Sequence, residues 1–328
     1  MSRYTINLSL IAACLVPLAA GCGDRSTAKV TSSAATSSAT AASSESATGV
    51  APSSSVVVTP PAPTATASYS DGESAFRQGR YGDAAGLFRA YTQSHADNAW
   101  GFYMLGLSAW KAGDREEALA GFDEALRLDP THRKSLFNSA RVLLETSRPR
   151  EALDRVAEAL AIEPLSSEGL RLLGRARHQL RQIDEAIDAY QRAIAIDDQD
   201  VWAMNNLGLI YIQQGRVDAA LLPLARAVEI RGNVPVFQNN LGTALERAGH
   251  FAAARDAYQA ALTADSTYTK ASVGLGRVSG LTQDSPSGSV DLARLSGEFQ
   301  AEVERWRSAG VLTQSVEEDS MARDTTAE

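Results

Sequence analysis

The chain has 328 residues, of which 44% are hydrophobic and only 6% are aromatic. Its formal net charge of −8 disfavours wholesale electrostatic binding to nucleic acid. Both cysteines, Cys14 and Cys22, precede residue 23, so the later part of the chain can form neither a disulfide nor a cysteine-ligated metal site.

Residues 1–22 have the pattern of an export signal. Arg3 supplies a positive charge, and the apolar run that follows it is shorter than a typical membrane-spanning helix. The run ends in Leu18-Ala19-Ala20-Gly21-Cys22, which resembles a bacterial lipoprotein signal and predicts lipidation of Cys22. Two alternatives stay open. Cys14 fits the local pattern better but follows a shorter apolar run, and the segment could be an ordinary cleaved signal.

Residues 23–64 are rich in Ser, Thr, Ala, Val and Pro and carry almost no charge. Such a segment cannot bury enough surface to offset the entropy of ordering, so it predicts a disordered tether. About forty flexible residues have a root-mean-square span of about 35 Å. A tether of this length would hold the rest of the chain clear of a membrane.

The stretch from about residue 65 to residue 268 repeats every 34 residues without insertion or deletion. Small side chains recur at fixed positions, as expected where two helices approach closely. The first column of the repeat reads Gly72, Gly106, Ala140, Gly174, Gly208 and Gly242. The second column reads Ala84, Ala118, Ala152, Ala186, Ala220 and Ala254. The third column reads Tyr91, Ala125, Ala159, Ala193, Ala227 and Ala261.

This repeat resembles the tetratricopeptide repeat, most closely at Asn205-Asn206-Leu207-Gly208 and at Asn239-Asn240-Leu241-Gly242 with the residues that follow them. The resemblance implies an all-α fold, a right-handed α-solenoid of about six helix–turn–helix repeats, each with a helix A and a helix B. The repeats are expected near residues 65–98, 99–132, 133–166, 167–200, 201–234 and 235–268. Residues 269–281 continue the helix A pattern, so we expect a C-terminal capping helix and an array that ends at 281.

After a linker at 282–290, residues 291–309 predict an amphipathic helix. Its apolar seam consists of Leu292, Leu295, Phe299, Val303 and Trp306, which recur at helical spacing. We expect this helix to fold back over the end or the groove of the array, or else to bind a partner or a second copy. Residues 310–328 are acidic and polar and predict a disordered tail.

The sequence contains no phosphate-binding loop, dinucleotide fingerprint or nucleophile elbow. Its four histidines are scattered among the repeats without metal-site spacing. The paired carboxylates, such as Glu116-Glu117, fall outside the apolar stripes of their helices and are interpreted as solvated side chains. We therefore predict no enzymatic activity, no cofactor, no metal site and no small-molecule substrate.

By the resemblance, the A helices would line a concave groove that binds protein or peptide partners. This places at or beside the groove Tyr69, Phe76, Trp100, Tyr103, Trp110, Lys134, Phe137, Asn138, Arg141, Arg171, Arg175, His178, Trp202, Asn205, Asn206, Gln213, Asn239 and Asn240. The groove would be aromatic at one end and basic in the middle, which suits a peptide or helix with carboxylates. Some family members clamp a C-terminal carboxylate with lysine and asparagine, but the matching lysine is absent here.

These patterns together predict a lipid-anchored scaffold that assembles a protein complex in the bacterial cell envelope. Gly23 stands where the lipoprotein family has the aspartate associated with inner-membrane retention, which favours the periplasmic face of the outer membrane. The alternative is a regulatory adaptor that recruits a protease or a cell-wall hydrolase and uses the C-terminal helix as a second docking site.

Overall fold

The computed structural model describes residues 68–281 and 290–310, and this part of the chain contains fourteen α-helices and no strand. The predicted signal and tether, and nearly all of the predicted linker and acidic tail, lie outside the described residues. Within those two ranges, no helix combines the length and the apolar character needed to cross a bilayer.

Twelve of the helices form six consecutive hairpins, which confirms the predicted all-α repeat fold. The A helices are α1 (Tyr69–Arg77), α3 (Ala99–Ala112), α5 (Arg133–Glu145), α7 (Ser167–Gln179), α9 (Val201–Gln213) and α11 (Pro235–Ala248). The B helices are α2 (Tyr81–Ser94), α4 (Arg115–Leu128), α6 (Pro149–Ile162), α8 (Ile183–Ile196), α10 (Val217–Ile230) and α12 (Phe251–Ala264). The chain continues with α13 (Thr269–Val278) and α14 (Leu292–Ser308).

Local sequence signals fix where the helices begin and end. The side chains of Asn98, Ser166 and Asp200 accept hydrogen bonds from backbone N–H groups in the first turns of α3, α7 and α9. These bonds satisfy donors that have no partner inside the helix. At its other end α3 stops at Gly113, whose φ of 98° is strained for a residue with a side chain.

In five of the six hairpins, the glycine on helix A lies against a large side chain on helix B. A Cβ atom added at Gly106 would lie 2.8 Å from the ring of Phe122, and one added at Gly174 would lie 2.8 Å from Tyr190. The column of small residues carries alanine only at Ala140, and the residue at the matching position of α6 is Val156, a smaller side chain than Phe or Tyr. The 34-residue columns therefore record size matching between paired helices.

The hairpins stack in chain order because no single hairpin can bury its apolar residues alone. Each of the first five B helices packs against the A helix of the next repeat, and successive A helices from α3 to α11 also contact one another. The alanines of the second column are all fully buried. The A helices thus form one continuous surface, which we call the A-helix surface.

Helix α13 packs against α11 and α12 and covers the last hairpin, as a capping helix would. Helix α14 packs against two B helices, α8 and α10. It therefore covers neither the end of the array nor the A-helix surface, the two positions expected from the sequence. The outer face of α10 carries Leu222 and Ala225. The equivalent positions of α8, one repeat earlier, are occupied by Asp188 and Gln191. This apolar area gives the seam of α14 a surface to bury.

The seam is the part of α14 that is most buried. Leu295, Phe299 and Val303 join the core, and Phe299 is only 1% exposed. Polar contacts hold both ends of the helix. The hydroxyl of Ser296 donates to Glu229 of α10, and Arg307 Nε donates to the carbonyl oxygen of Ala195, the penultimate residue of α8, at 2.8 Å.

Candidate functional site

The A-helix surface presents its aromatic side chains mainly on the early repeats. Trp100 is 47% exposed, and the ammonium group of Lys134 lies 5.0 Å from the centre of its ring. Tyr103 packs edge-on against Trp100 with ring centres 5.3 Å apart, but Tyr103 itself is buried. Tyr69 packs edge-on against Phe88 at 5.3 Å. Only part of the predicted aromatic surface is therefore accessible to a partner.

Trp110 is anchored at the turn side of the same surface. Its indole Nε1 donates a 3.0 Å hydrogen bond to Glu145 of the next A helix. Phe137 is buried and belongs to the core between α5 and its neighbours. Both side chains help to hold adjacent repeats together, and a partner would reach only the remaining face of Trp110.

Asparagine side chains link one A helix to the next. The amide of Asn138 donates to the hydroxyl of Tyr103 at 3.4 Å, and that of Asn240 donates to Asn205 at 2.9 Å. Asn239 in turn donates to Asn240 at 3.2 Å. Part of the hydrogen-bonding capacity of these amides is thus used inside the array, which orients the amides before any partner arrives.

The arginines predicted to make the middle of this surface basic differ in their partners. Arg141 pairs with Glu168 and donates to Asn138 at 2.7 Å, and burial lowers the pKa of its guanidinium. Arg171 donates to Asp200 at 2.8 Å. Arg175, by contrast, forms no ion pair with any residue in the ranges 68–281 and 290–310. The surface therefore carries less free positive charge than the sequence alone suggested.

Asp200 shows why a paired arginine is also a structural residue. Its carboxylate accepts from Arg171, from the hydroxyl of Ser167 at 2.9 Å and from the backbone N–H of Ala203 at 3.0 Å. The same group therefore caps α9 and ties α7 to it. Sequence reasoning missed the acidic partners Glu168 and Asp200, although each lies 27–29 residues after its arginine, close to one repeat length.

Trp202 provides a second exposed aromatic face three repeats beyond Trp100. It is 43% exposed and packs edge-on against Phe237 with ring centres 4.8 Å apart. Asn206, another of the predicted site residues, is half-buried on α9, the helix that carries Trp202. Burial raises the pKa of the nearby Tyr190 hydroxyl, so this phenol stays protonated and neutral.

The predicted site residues fall into three groups by exposure. The buried ones are Tyr103, Phe137, Asn138, Asn205 and Asn239. The half-buried ones are Tyr69, Phe76, Trp110, Arg141, Arg171, Arg175, His178, Asn206 and Asn240. The exposed ones are Trp100, Lys134, Trp202 and Gln213. The described residues contain no group of three or more His, Cys, Asp or Glu side chains that could hold a metal ion. The arrangement is suited to non-covalent recognition through ring faces, guanidinium groups and amides.

Family models agree with this geometry. A model described as "TPR repeat" matches residues 174–215. Two models described as "Tetratricopeptide repeat" match residues 60–99, 103–153 and 237–279 in one case and 201–234 in the other. No curated protein sequence matches the chain.

Several solved structures share the fold. A tetratricopeptide repeat protein from Parabacteroides merdae ATCC 43184 is 14% identical with a TM-score of 0.55, over 65% of this chain and 83% of that chain. The Pseudomonas aeruginosa pilF structure is 17% identical with a TM-score of 0.51, over 67% of this chain and 97% of that chain. A thermophilic tetratricopeptide repeat protein of Thermus thermophilus, TTC0263, is 22% identical with a TM-score of 0.50, over 56% of this chain and 100% of that chain. At these identities the likeness is one of fold.

Proposed function

Because this chain belongs to the tetratricopeptide repeat family, we propose that it is a membrane-anchored scaffold that assembles a protein complex in the bacterial cell envelope. Proteins of this family are generally scaffolds for protein–protein interaction and not enzymes, and the fold supports that role here. The partner would be a protein or peptide segment held on the A-helix surface. We propose no catalytic activity for the chain itself.

The observation that carries this proposal is the set of aromatic faces and the unpaired arginine that the A-helix surface leaves accessible. Trp100 and Trp202 each expose more than two-fifths of their surface, at 47% and 43%. Arg175 lies on α7 between them along the stack and has no acidic partner in the described part of the chain. Ring faces contribute apolar burial, and a free guanidinium can pair with a carboxylate, so these groups suit a peptide with carboxylates.

The neighbouring polar groups would orient such a peptide. The half-buried amide of Asn240 is held in place by the hydrogen bond that it donates to the buried Asn205 at 2.9 Å. An amide that is already oriented loses little further entropy when it binds a peptide backbone. This preorganisation supports binding of an extended segment along α9 and α11.

The anchoring part of the proposal comes from the sequence of residues 1–22. The apolar run that ends at Cys22 favours lipidation of that cysteine, and Gly23 favours the periplasmic face of the outer membrane. Assemblies that would suit such a scaffold are a secretion or pilus machine, a cell-wall enzyme complex, or the insertion of outer-membrane proteins. An adaptor that docks a second partner through α14 is less favoured, because Phe299 and Val303 of its seam are buried against the array.

The partner-binding surface can be tested by crosslinking in the native host, followed by identification of the attached proteins. We expect Arg175→Glu to reduce crosslinking to the partner that the wild-type chain captures. Arg231→Glu is the matched control, since Arg231 is an exposed arginine at the end of α10 without an ion pair among the described residues. Equal capture by both variants would rule out a role for this surface. Arg171 is a poorer probe, because its substitution would also disturb Asp200.

The anchor can be tested separately by growing the host with a palmitate analogue that carries an alkyne tag. We expect Cys22→Ser to abolish labelling and Cys14→Ser to retain it, since the two cysteines are the only ones in the chain. Loss of the label in the Cys14 variant alone would move the lipidation site to Cys14. An unlabelled wild-type chain would refute lipid anchoring and leave the scaffold proposal intact.

A further inference from the structure

The turn between helices A and B uses the same backbone conformation in all six hairpins. One residue in each turn has a positive φ, and in four hairpins this residue is glycine, namely Gly79, Gly113, Gly215 and Gly249. In the third and fourth hairpins it is Ser147, with φ 60°, and Arg181, with φ 65°. Residues with side chains disfavour this region of backbone space, so these two turns carry a conformational cost that glycine would avoid.

Packing does not explain why these two turns carry side chains. A Cβ atom added at the equivalent Gly79 or Gly215 would meet no atom within 4 Å, so the position faces open space. Ser147 and Arg181 are themselves exposed. Backbone strain that brings no burial raises the hypothesis that these side chains contact something outside the fold.

The two unusual turns line the same surface depression, which has a volume of about 410 Å³. Its other lining residues are Pro149, His178, Gln179 and Gln213. His178 Nε2 lies 2.8 Å from Gln213 Oε1, and the amide of Gln179 donates to the carbonyl oxygen of Leu144 at 3.0 Å. Side chains from three successive repeats therefore converge on one concave area.

The lining of this depression suits a carboxylate. It contains a guanidinium, an imidazole and the side-chain amide of Gln213, but no acidic side chain. Arg181 forms no ion pair with any other described residue, in contrast to Arg141 and Arg171. A free guanidinium presents parallel N–H donors that match the two oxygens of a carboxylate, and the NH2 group of Gln213, whose oxygen faces His178 Nε2, can add a further donor.

We infer, on the basis of the peptide-binding function proposed above, that this depression binds a carboxylate of the peptide that lies along the A-helix surface. His178 and Gln213 belong to α7 and α9, so the depression is continuous with that surface at the A–B turns. Arg181 is the primary contact, and Ser147 faces the same ligand from the preceding turn. The carboxylate is either the C-terminus of the peptide or an Asp or Glu side chain.

The probe is an array of randomised decapeptides, screened against the full-length chain. Each peptide that binds is then made in two further forms, one with an amidated C-terminus and one with Asn and Gln in place of Asp and Glu. Weaker binding after amidation identifies the C-terminal carboxylate, and weaker binding after the side-chain replacement identifies an acidic side chain. Unchanged binding in both forms would overturn the inference while leaving the peptide-binding function standing. A chain that binds no peptide would overturn both.

The decisive variant is Arg181→Gly, which installs the residue used at this turn in four other hairpins. We expect the affinity for the selected peptide to fall about tenfold or more, the size expected for loss of a charge-assisted pair. The melting temperature should stay the same or rise, because glycine relieves the strain. Arg231→Ala removes the same charge from the far end of the next hairpin and should bind like wild type. Wild-type affinity in Arg181→Gly, or a lower melting temperature, would contradict the assignment.

Discussion

Gly121 of α4 packs directly against the backbone of Gly106 of α3. A Cβ atom added at Gly121 would lie 2.6 Å from the backbone nitrogen and 2.8 Å from the Cα atom of Gly106, and 3.0 Å from the carbonyl oxygen of Phe102. All three obstacles are backbone atoms, so no side chain can rotate away. The substitution Gly121→Ala therefore has to push α3 and α4 apart.

Two opposing effects set the size of this perturbation. Alanine is favoured over glycine in a helix interior by about 1 kcal/mol. Overpacking a close contact costs about 1–3 kcal/mol, and the upper end applies where backbone must move. We therefore expect a net destabilisation of about 2 kcal/mol. For an array of this size that corresponds to a melting temperature lower by about 4–8 °C.

Gly86→Ala is the matched control, because Gly86 lies inside α2 and a Cβ atom there would meet nothing within 4 Å. We expect this variant to melt about 2–4 °C higher than wild type, from helix propensity alone. Thermal unfolding followed by circular dichroism measures both shifts. If Gly121→Ala also raised the melting temperature, contact with the backbone of Gly106, a member of the first column, would not limit the size of the side chain at this crossing.

Two further predictions concern α14 and the end of the array. Phe299→Ala should release α14, since a buried Phe-to-Ala change costs about 3–5 kcal/mol, and hydrogen exchange should speed up in α14 but not in α1–α6. Exchange that stays at the wild-type rate in α14 would contradict this. Burial, with a hydrogen bond to Glu246, raises the pKa of Tyr258 to about 12. The protonated hydroxyl should therefore contribute fully to stability below pH ~10, the pKa of an unfolded tyrosine, and this contribution should be lost as the pH rises towards 12. Unfolding measured from pH 9 to 12 should show a shallower decline for Tyr258→Phe, and parallel curves would refute the assignment.

The fold was largely predictable from the sequence because each repeat has to satisfy the same local packing. The columns that begin at Gly72 and Ala84 fix where helices A and B approach, and the structure buries both columns. The turn at Gly113 and the caps at Asn98 and Asp114 likewise act within a few residues. Interactions of such short range leave their signature in the spacing of the sequence.

The candidate site was predictable only in part. The sequence placed Arg141 and Arg171 on the A helices, but their neutralisation by Glu168 and Asp200 depends on how one repeat packs against the next. Burial of Tyr103 depends on the same packing. The depression beside Arg181 was not expected, because the positive φ of that residue is a property of the folded turn.

The sequence by itself determined the repeat length, the helix pairs and the residues on each A helix, since these follow from the 34-residue spacing of small side chains. Only the tertiary structure decided that the seam of α14 packs against α8 and α10, and which charged groups on the A-helix surface remain free. The physical reason is range. Helix pairing is set by residues within one repeat, whereas α14 joins the hydroxyl of Ser296 to Glu229, 67 positions apart in the chain.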